Sequence, residues 1–187
     1  MNITISEVAN LPSKFGDFKV KAFKEAQKEH LVIYKDDLDD IPIVRVHSEC
    51  LTGDALGSLK CDCGEQLEYA LKLAEESKGM VIYLRQEGRN IGLLNKINAY
   101  ALQDKGANTV EANHQLGFRA DERTYEIVTT ILHHFGIKKI KLLTNNPDKV
   151  KAISDIEIVE RIPIIMDSNK YNEDYLKVKR DEMGHLL

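Results

Sequence analysis

Three cysteines lie within fourteen residues of one another, at Cys50, Cys61 and Cys63, the last two as Cys-Asp-Cys. Thiolates are strong Zn²⁺ ligands, and three protein ligands leave a fourth position for a water that can act as a nucleophile near neutral pH. Three separate buried thiols are the plain alternative, since free cysteine packs as a small hydrophobe. Clustering beside His47, Glu49 and Asp62 favours the metal. A four-ligand structural zinc with His47 as the fourth ligand stays open at this point. His47-Ser48-Glu49 matches the H-x-E element of zinc nucleobase deaminases. That signature also requires P-C-x-x-C, whereas here Lys60 precedes a C-x-C pair.

Two further segments suit phosphate. Arg85-Gln86-Glu87-Gly88-Arg89-Asn90-Ile91-Gly92 follows an apolar run and opens a helical pattern. Guanidinium forks grip phosphate oxygens bidentately, and free helical N–H groups add partial positive charge. Thr144-Asn145-Asn146-Pro147-Asp148-Lys149 has the same context, with Pro147 suited to a first helical turn. Surface ion pairs and an ordinary capped helix start are the competing readings. Gly53 to Lys60 lacks G-K-[ST], so the chain has no Walker A loop there. A carboxylate accepts from guanine's ring N–H and amino group together, which adenine cannot match. Glu49 and Glu87 are the candidates, with Gln66 as a further polar contact, and residue chemistry does not choose between them. Asp121 is either the N-cap of the following helix or a carboxylate beside Arg123. Tyr100 taken alone reads as a core or surface tyrosine. His114, His133 and His134 stay unassigned.

The elements that must position these groups are read from periodicity. Phe18, Val20 and Ala22 alternate with Lys19 and Lys21 as a half-buried strand, and residues 30–34 and 41–46 read as two more. The acidic run 36–40 is a turn between them. Leu67, Ala70, Leu71 and Ala74 fall at helical spacing, followed by Gly79 and the strand 80–84. A helix carries Leu93, Leu94, Ile97 and Ala101 and ends near Gly106. Another carries Ile127 to Phe135 and stops at Gly136. A strand at 140–143, a short helix after Pro147, a strand at 156–165 and a polar C-terminal helix complete the reading. Strands first, then strands alternating with helices, predict an α+β fold: a mixed sheet core with flanking helices, β-rich at the N-terminal end.

Composition bounds the classes. The 187 residues carry 26 Lys or Arg against 30 Asp or Glu, a net charge of −4, with 43% hydrophobic residues. A chain of this length buries roughly 70% of its unfolded surface without disulfides. The mild acidity argues against general nucleic-acid binding. No apolar run approaches the ~18 residues of a membrane span, and the first residues lack the basic and apolar regions of a signal peptide. An odd cysteine count argues against a disulfide framework, so a reducing, cytoplasmic setting is expected.

With these residues assembled, the chain resembles the GTP cyclohydrolase II family of riboflavin biosynthesis. The matching runs are Arg45 to Asp54, Cys61 to Gly64, Arg85 to Leu94, Glu111 to Gly117, Asp121 to Arg123, Leu143 to Pro147 and Met183 to Leu187. Several long runs in one order are far more specific than a short motif. They extend from about residue 41 to the end. Leu84 stands where the family often has histidine; no departure falls on a ligand or catalytic position. The resemblance implies one domain over 1–187 that converts GTP to formate, pyrophosphate and 2,5-diamino-6-ribosylamino-4(3H)-pyrimidinone 5′-phosphate. It implies a homodimer, Zn²⁺ at the base and Mg²⁺ at the triphosphate. By motif, Cys50, Cys61 and Cys63 correspond to zinc ligands. Arg45, Val46, His47, Ser48, Glu49, Gln66, Glu87, Gly88, Arg89, Thr109, Thr144 and Lys149 correspond to GTP contacts. Asp121 corresponds to the proton acceptor, Arg123 to a proposed nucleophile, and Tyr100 to a tyrosine that helps complete ring opening. A dihydroxybutanone-phosphate synthase domain, fused in some members, has no room in 187 residues. A GTP-binding module without turnover and a relative that stops at the formylated pyrimidine are the alternatives; the second differs from the family at the tyrosine.

Overall fold

Residues 2–186 are described by the structure, a computed structural model. The chain opens with an antiparallel half-sheet. Strands β3 (Gly16–Glu25) and β4 (Lys28–Tyr34) form a hairpin. Strands β1 (Ile3–Ile5) and β2 (Ala9–Ser13) share the outer edge of β3, β1 against its Phe23–Glu25 end and β2 against Gly16–Val20. The parallel half comprises β5 (Ile43–Ser48), β6 (Met80–Leu84), β7 (Lys139–Leu143) and β8 (Glu157–Ile162). The halves join where β4 pairs antiparallel with β6, in the order β1-β3-β4-β6-β5-β7-β8.

Both faces of the parallel half are covered, which is why β6 is apolar throughout. Its Met80, Ile82 and Leu84 join one core with Val44, Val46, Ile140 and Leu142, roofed by helix α5 (Glu126–His134) through Ile127, Val128, Ile131 and Leu132. Its Val81 joins the opposite core, where helix α2 (Cys63–Glu76) packs through Ala70 and Ala74. The period of two therefore sends Arg45 and His47 of β5 to the α2 side, while Val44 and Val46 enter the α5-side core. The link from β5 to β6 runs through α2 and the link from β6 to β7 through α5, on opposite faces. In open α/β sheets a crevice forms at the carboxyl ends of strands that part in this way. Helices α1 (Leu51–Asp54), α3 (Gly92–Gln103), α4 (Thr109–Gln115), α6 (Pro147–Ala152) and α7 (Glu173–Asp181) surround that end. Among the described residues no helix is long and apolar enough to cross a membrane.

The α+β mixed sheet matches the expectation from sequence, with shifted edges. The strand expected at 41–46 runs from Ile43 to Ser48, and the one expected at 156–165 ends at Ile162. Helix α4 was not anticipated, although its start is written in the sequence. The Asn108 side chain accepts from the Val110 and Glu111 N–H groups at 2.9 Å each, and Glu111 returns a bond to Asn108 N at 2.8 Å, a capping box.

Candidate active site

The three cysteines converge at the carboxyl end of β5. Cys50 follows the strand, while Cys61 and Cys63 stand at the entrance to α2, and the three sulfurs lie within 4.8 Å of one another. The Cys50–Cys61 separation is 3.6 Å. Tetrahedral ligands about 2.3 Å from a zinc ion stand about 3.8 Å apart, so the sulfurs fit a metal. Gly53 makes this possible. A Cβ there would sit 2.8 Å from Cys61 Sγ and 3.2 Å from Cys50 Sγ. Hydrogen bonds from Cys61 and Cys63, reinforced by Lys96, hold the Cys50 thiol far below its ordinary range. The same sharing pushes Cys61 up to about 11 and Cys63 well above the usual thiol range. A divalent ion must displace those protons to bind. His47 lies outside the sulfur group: its Nε2 pairs with Asp54 Oδ1 at 3.0 Å. The other Asp54 oxygen accepts from Cys50 N at 2.9 Å and from Tyr83 O–H at 2.7 Å.

The loop from Arg85 to Gly92 crosses beside the thiols with backbone that ordinary residues rarely adopt. Gly88, Arg89, Asn90 and Gly92 all have positive φ, at 60°, 59°, 75° and 83°. At Gly88 a Cβ would also meet the Lys96 side chain at 3.0 Å and Gly92 O at 3.1 Å. Such conformations persist where surroundings over-determine them. Here Glu87 is that anchor. Its Oε1 accepts from Gly88 N at 2.8 Å and Lys96 Nζ at 2.7 Å, and its Oε2 accepts from Leu51 N at 2.6 Å. Asn90 Nδ2 donates to Glu122 O at 3.0 Å, and Arg89 Nη1 to Ala120 O at 3.3 Å. Glu49 faces outward to Arg85 at 2.9 Å.

Two adjoining cavities result, sharing Ser48, Cys63, Arg89, Arg123 and Tyr175. One, of about 610 Å³, collects Arg45, Arg89, Arg123, Lys149 and Lys179 and has no carboxylate in its lining among the described residues. Burial draws Arg45 down to about 10. Burial, then repulsion from Arg45 and Arg123, holds Lys149 well below the usual amine range, although Val46 O accepts its proton at 2.7 Å. Burial beside Lys179 and Arg123 depresses His185 to about 3. Positive charge crowded this closely is a site for a polyanion. The other cavity, of about 700 Å³, carries Glu49, Glu87, Lys96, Tyr100 and Thr109 beside the thiols. Tyr100 Oη lies 3.3 Å from Thr52 Oγ1.

Arg123 lies where the cavities meet. Its Nε donates to both Asp121 oxygens, at 2.9 and 3.0 Å, and its Nη2 donates to Oδ2 as well. Burial works against both charges, yet their pairing keeps Asp121 below the usual carboxylate range and Arg123 above its own. A guanidinium so paired keeps its proton.

A family model of GTP cyclohydrolase II matches residues 4–163. The chain belongs to that family. A GTP cyclohydrolase-2 of Campylobacter hominis is 65% identical over 187 residues, covering 100% of this chain and 97% of its own. One from Sulfurospirillum multivorans is 70% identical over 141 residues, 75% of this chain and 100% of its own. One from Helicobacter pylori is 52% identical over 99% of this chain and 98% of its own. Among solved structures, a two-domain 3,4-dihydroxy-2-butanone 4-phosphate synthase from A. baumannii overlaps 88% of this chain and 40% of its own, at TM-score 0.47 and 18% identity. The chain is thus an enzyme of the GTP cyclohydrolase II type, a hydrolase of riboflavin biosynthesis.

Most site residues singled out from sequence line one cavity or the other. Val46 does not: its side chain lies in the α5-side core and only its carbonyl reaches Lys149. Asp121 stands behind Arg123 and lines neither cavity. Sequence reading missed Lys96, Lys179, Tyr175 and His185. Lys179 of α7 pairs with Asp62 at 2.7 Å. Asp62 also accepts from Gln66, whose Oε1 accepts from Arg45 Nη2 at 2.6 Å. This buried chain links the C-terminal helix to the cysteine segment. The family model ends before that helix, at residue 163.

Proposed function

We propose that this chain hydrolyses GTP to 2,5-diamino-6-ribosylamino-4(3H)-pyrimidinone 5′-phosphate, formate and pyrophosphate, with Zn²⁺ at Cys50, Cys61 and Cys63. The observation that carries this reading is the adjacency of the two cavities: an all-cationic one for a triphosphate, and a thiol-lined one that takes the base. When bound, zinc supplies Lewis acidity and a water acidified to about neutral pH. Arg45, Arg89, Arg123 and Lys149 hold phosphate oxygens, with Thr144, Ser48 and His47 as polar neighbours. The cationic lining, which has no carboxylate among the described residues, supports Mg²⁺ arriving on the triphosphate rather than in a protein cage. Both oxygens of Glu87 are engaged by Lys96, Gly88 and Leu51, so Glu49 is the freer reader of guanine, with Gln66 and Thr109 beside it.

Arg123 stabilises charge that develops on the α-phosphate, in a water-poor site where fixed donors are most effective. Its retained proton argues for this role over that of nucleophile. Asp121, held low by the same pairing, is a weak base and serves chiefly to aim Arg123. Tyr100, beside the thiols, assists completion of ring opening. We also assign one catalytic domain to 1–187, a reducing cytoplasmic setting that suits the free thiols, and a homodimer. Exposed Leu93, Leu94 and Ile97 along α3 support an intersubunit contact.

The test mixes zinc-loaded protein with GTP and Mg²⁺ and quantifies formate and pyrophosphate. Equal yields are expected. Pyrophosphate alone would remove the ring-opening half of the proposal. Bound GTP with neither product would replace it by a binding module without turnover.

A further inference from the structure

Lys96 lies in the second turn of α3 and is 8% exposed. Buried lysines are rare unless paired, and this one has two partners of different chemistry. Its Nζ stands 2.7 Å from Glu87 Oε1 and 3.1 Å from Cys50 Sγ. The second contact is unusual in direction: of the three sulfurs, only Cys50 has a lysine ammonium within hydrogen-bond distance among the described residues. Glu87 returns to the same place, since its other oxygen accepts from Leu51 N, the amide next to Cys50. Lys96 and Glu87 together clamp the Cys50 segment against the loop that carries Arg89.

Charge explains why an ammonium belongs there. Three thiolates around a divalent ion leave one uncompensated negative charge in a poorly solvated place. An ammonium hydrogen-bonded to one sulfur offsets it and draws electron density from that ligand. Partners of this kind orient metal ligands and tune the ion they hold.

We propose that Lys96 is a positioning residue of the metal centre: its ammonium donates to the Cys50 thiolate and, through Glu87, fixes that ligand's place in the set. This rests on the reading of Cys50, Cys61 and Cys63 as a metal site, and it concerns a residue that reading does not use.

The test uses the full chain loaded with Co²⁺, whose thiolate-to-metal charge-transfer band reports the electron richness of the sulfurs, alongside Zn²⁺ affinity by chelator competition. Lys96→Met is expected to bind Zn²⁺ about 10- to 100-fold more weakly and to move the Co²⁺ band to longer wavelength, because the sulfur lone pair loses its donor. Lys96→Arg, which keeps charge and donors, is expected to restore most of both. A packing role alone would not move the band. Should Lys96→Met fail to fold by circular dichroism, Lys96→Gln, one atom shorter, keeps a polar N–H donor without the charge and carries the same expectation in smaller measure. Folded variants with wild-type affinity and band position would overturn the proposal. Wild-type protein that takes up neither Co²⁺ nor Zn²⁺ would overturn the metal site itself, and Lys96's role with it.

Discussion

The two cavities are neighbours built on opposite electrostatic plans. In the thiol-lined cavity the charges beside the sulfurs are paired inside the protein: Lys96 lies between Cys50 and Glu87, and Glu49 holds Arg85. In the cationic cavity Arg123 and Lys179 are paired from behind by Asp121 and Asp62, but Arg45, Arg89 and Lys149 form no ion pair among the described residues, and burial depresses Lys149 and His185. Compensation in the first keeps a fixed set of ligands for a metal. Its incompleteness in the second, at Arg45, Arg89 and Lys149, suits the triphosphate of the proposed substrate. The difference teaches that the free protein bears an electrostatic cost at one end of the site, one that the proposed substrate's phosphates would relieve.

Replacing Arg123, where the two cavities meet, should have the largest effect. Arg123→Ala is expected to slow pyrophosphate release by about 10²- to 10³-fold, the scale for losing one preorganised donor to developing charge, as steady-state assays would show. Unchanged release would remove Arg123 from the phosphate chemistry. Lys149→Met should sharpen the contrast. It is expected to raise KM for GTP by about 10-fold, a loss of about 1.4 kcal/mol, without lowering the unfolding midpoint of the ligand-free protein. A clear fall in that midpoint would mean the lysine is compensated after all. Tyr100→Phe concerns only the thiol side. Formate should drop below pyrophosphate, with the formylated pyrimidine visible by chromatography.

The smallest effect expected is on stability against pH. His30, His47 and His185 all titrate below the free imidazole value because burial disfavours their charged forms. Below about pH 6.5 the unfolded chain therefore binds more protons than the native one, and stability falls as pH falls. For His185 that loss continues towards its folded value of about 3. Thermal midpoints at pH 5 should lie below those at pH 7, by about 2–4 °C for each kcal/mol lost. Inorganic triphosphate should narrow the gap, because it favours the charged form of His185.

How far the sequence could be read follows the range of each interaction. Local patterns were readable: the apolar run of β6, the helical spacing in α2 and α5, the cysteine cluster, and the arginine loop opening α3. The capping box at Asn108 and Glu111 was equally local and equally available. Lys96 and Lys179 were not readable, because their partners lie 46 and 117 residues away. On helices, each looks like an ordinary solvated lysine until the fold returns α3 to Cys50 and α7 to Asp62. The partners of Glu87 were hidden for a related reason. Its type suits guanine, but the fold engages both its oxygens in holding the loop.

The division of labour between the cavities is tested most directly by Cys61→Ser, assayed with GTP and Mg²⁺ for zinc content, formate and pyrophosphate together. Loss of zinc and of formate, with part of the pyrophosphate release retained, is the expected result, because Cys61 lines the thiol cavity and not the cationic one. Normal formate from zinc-free protein would contradict the account.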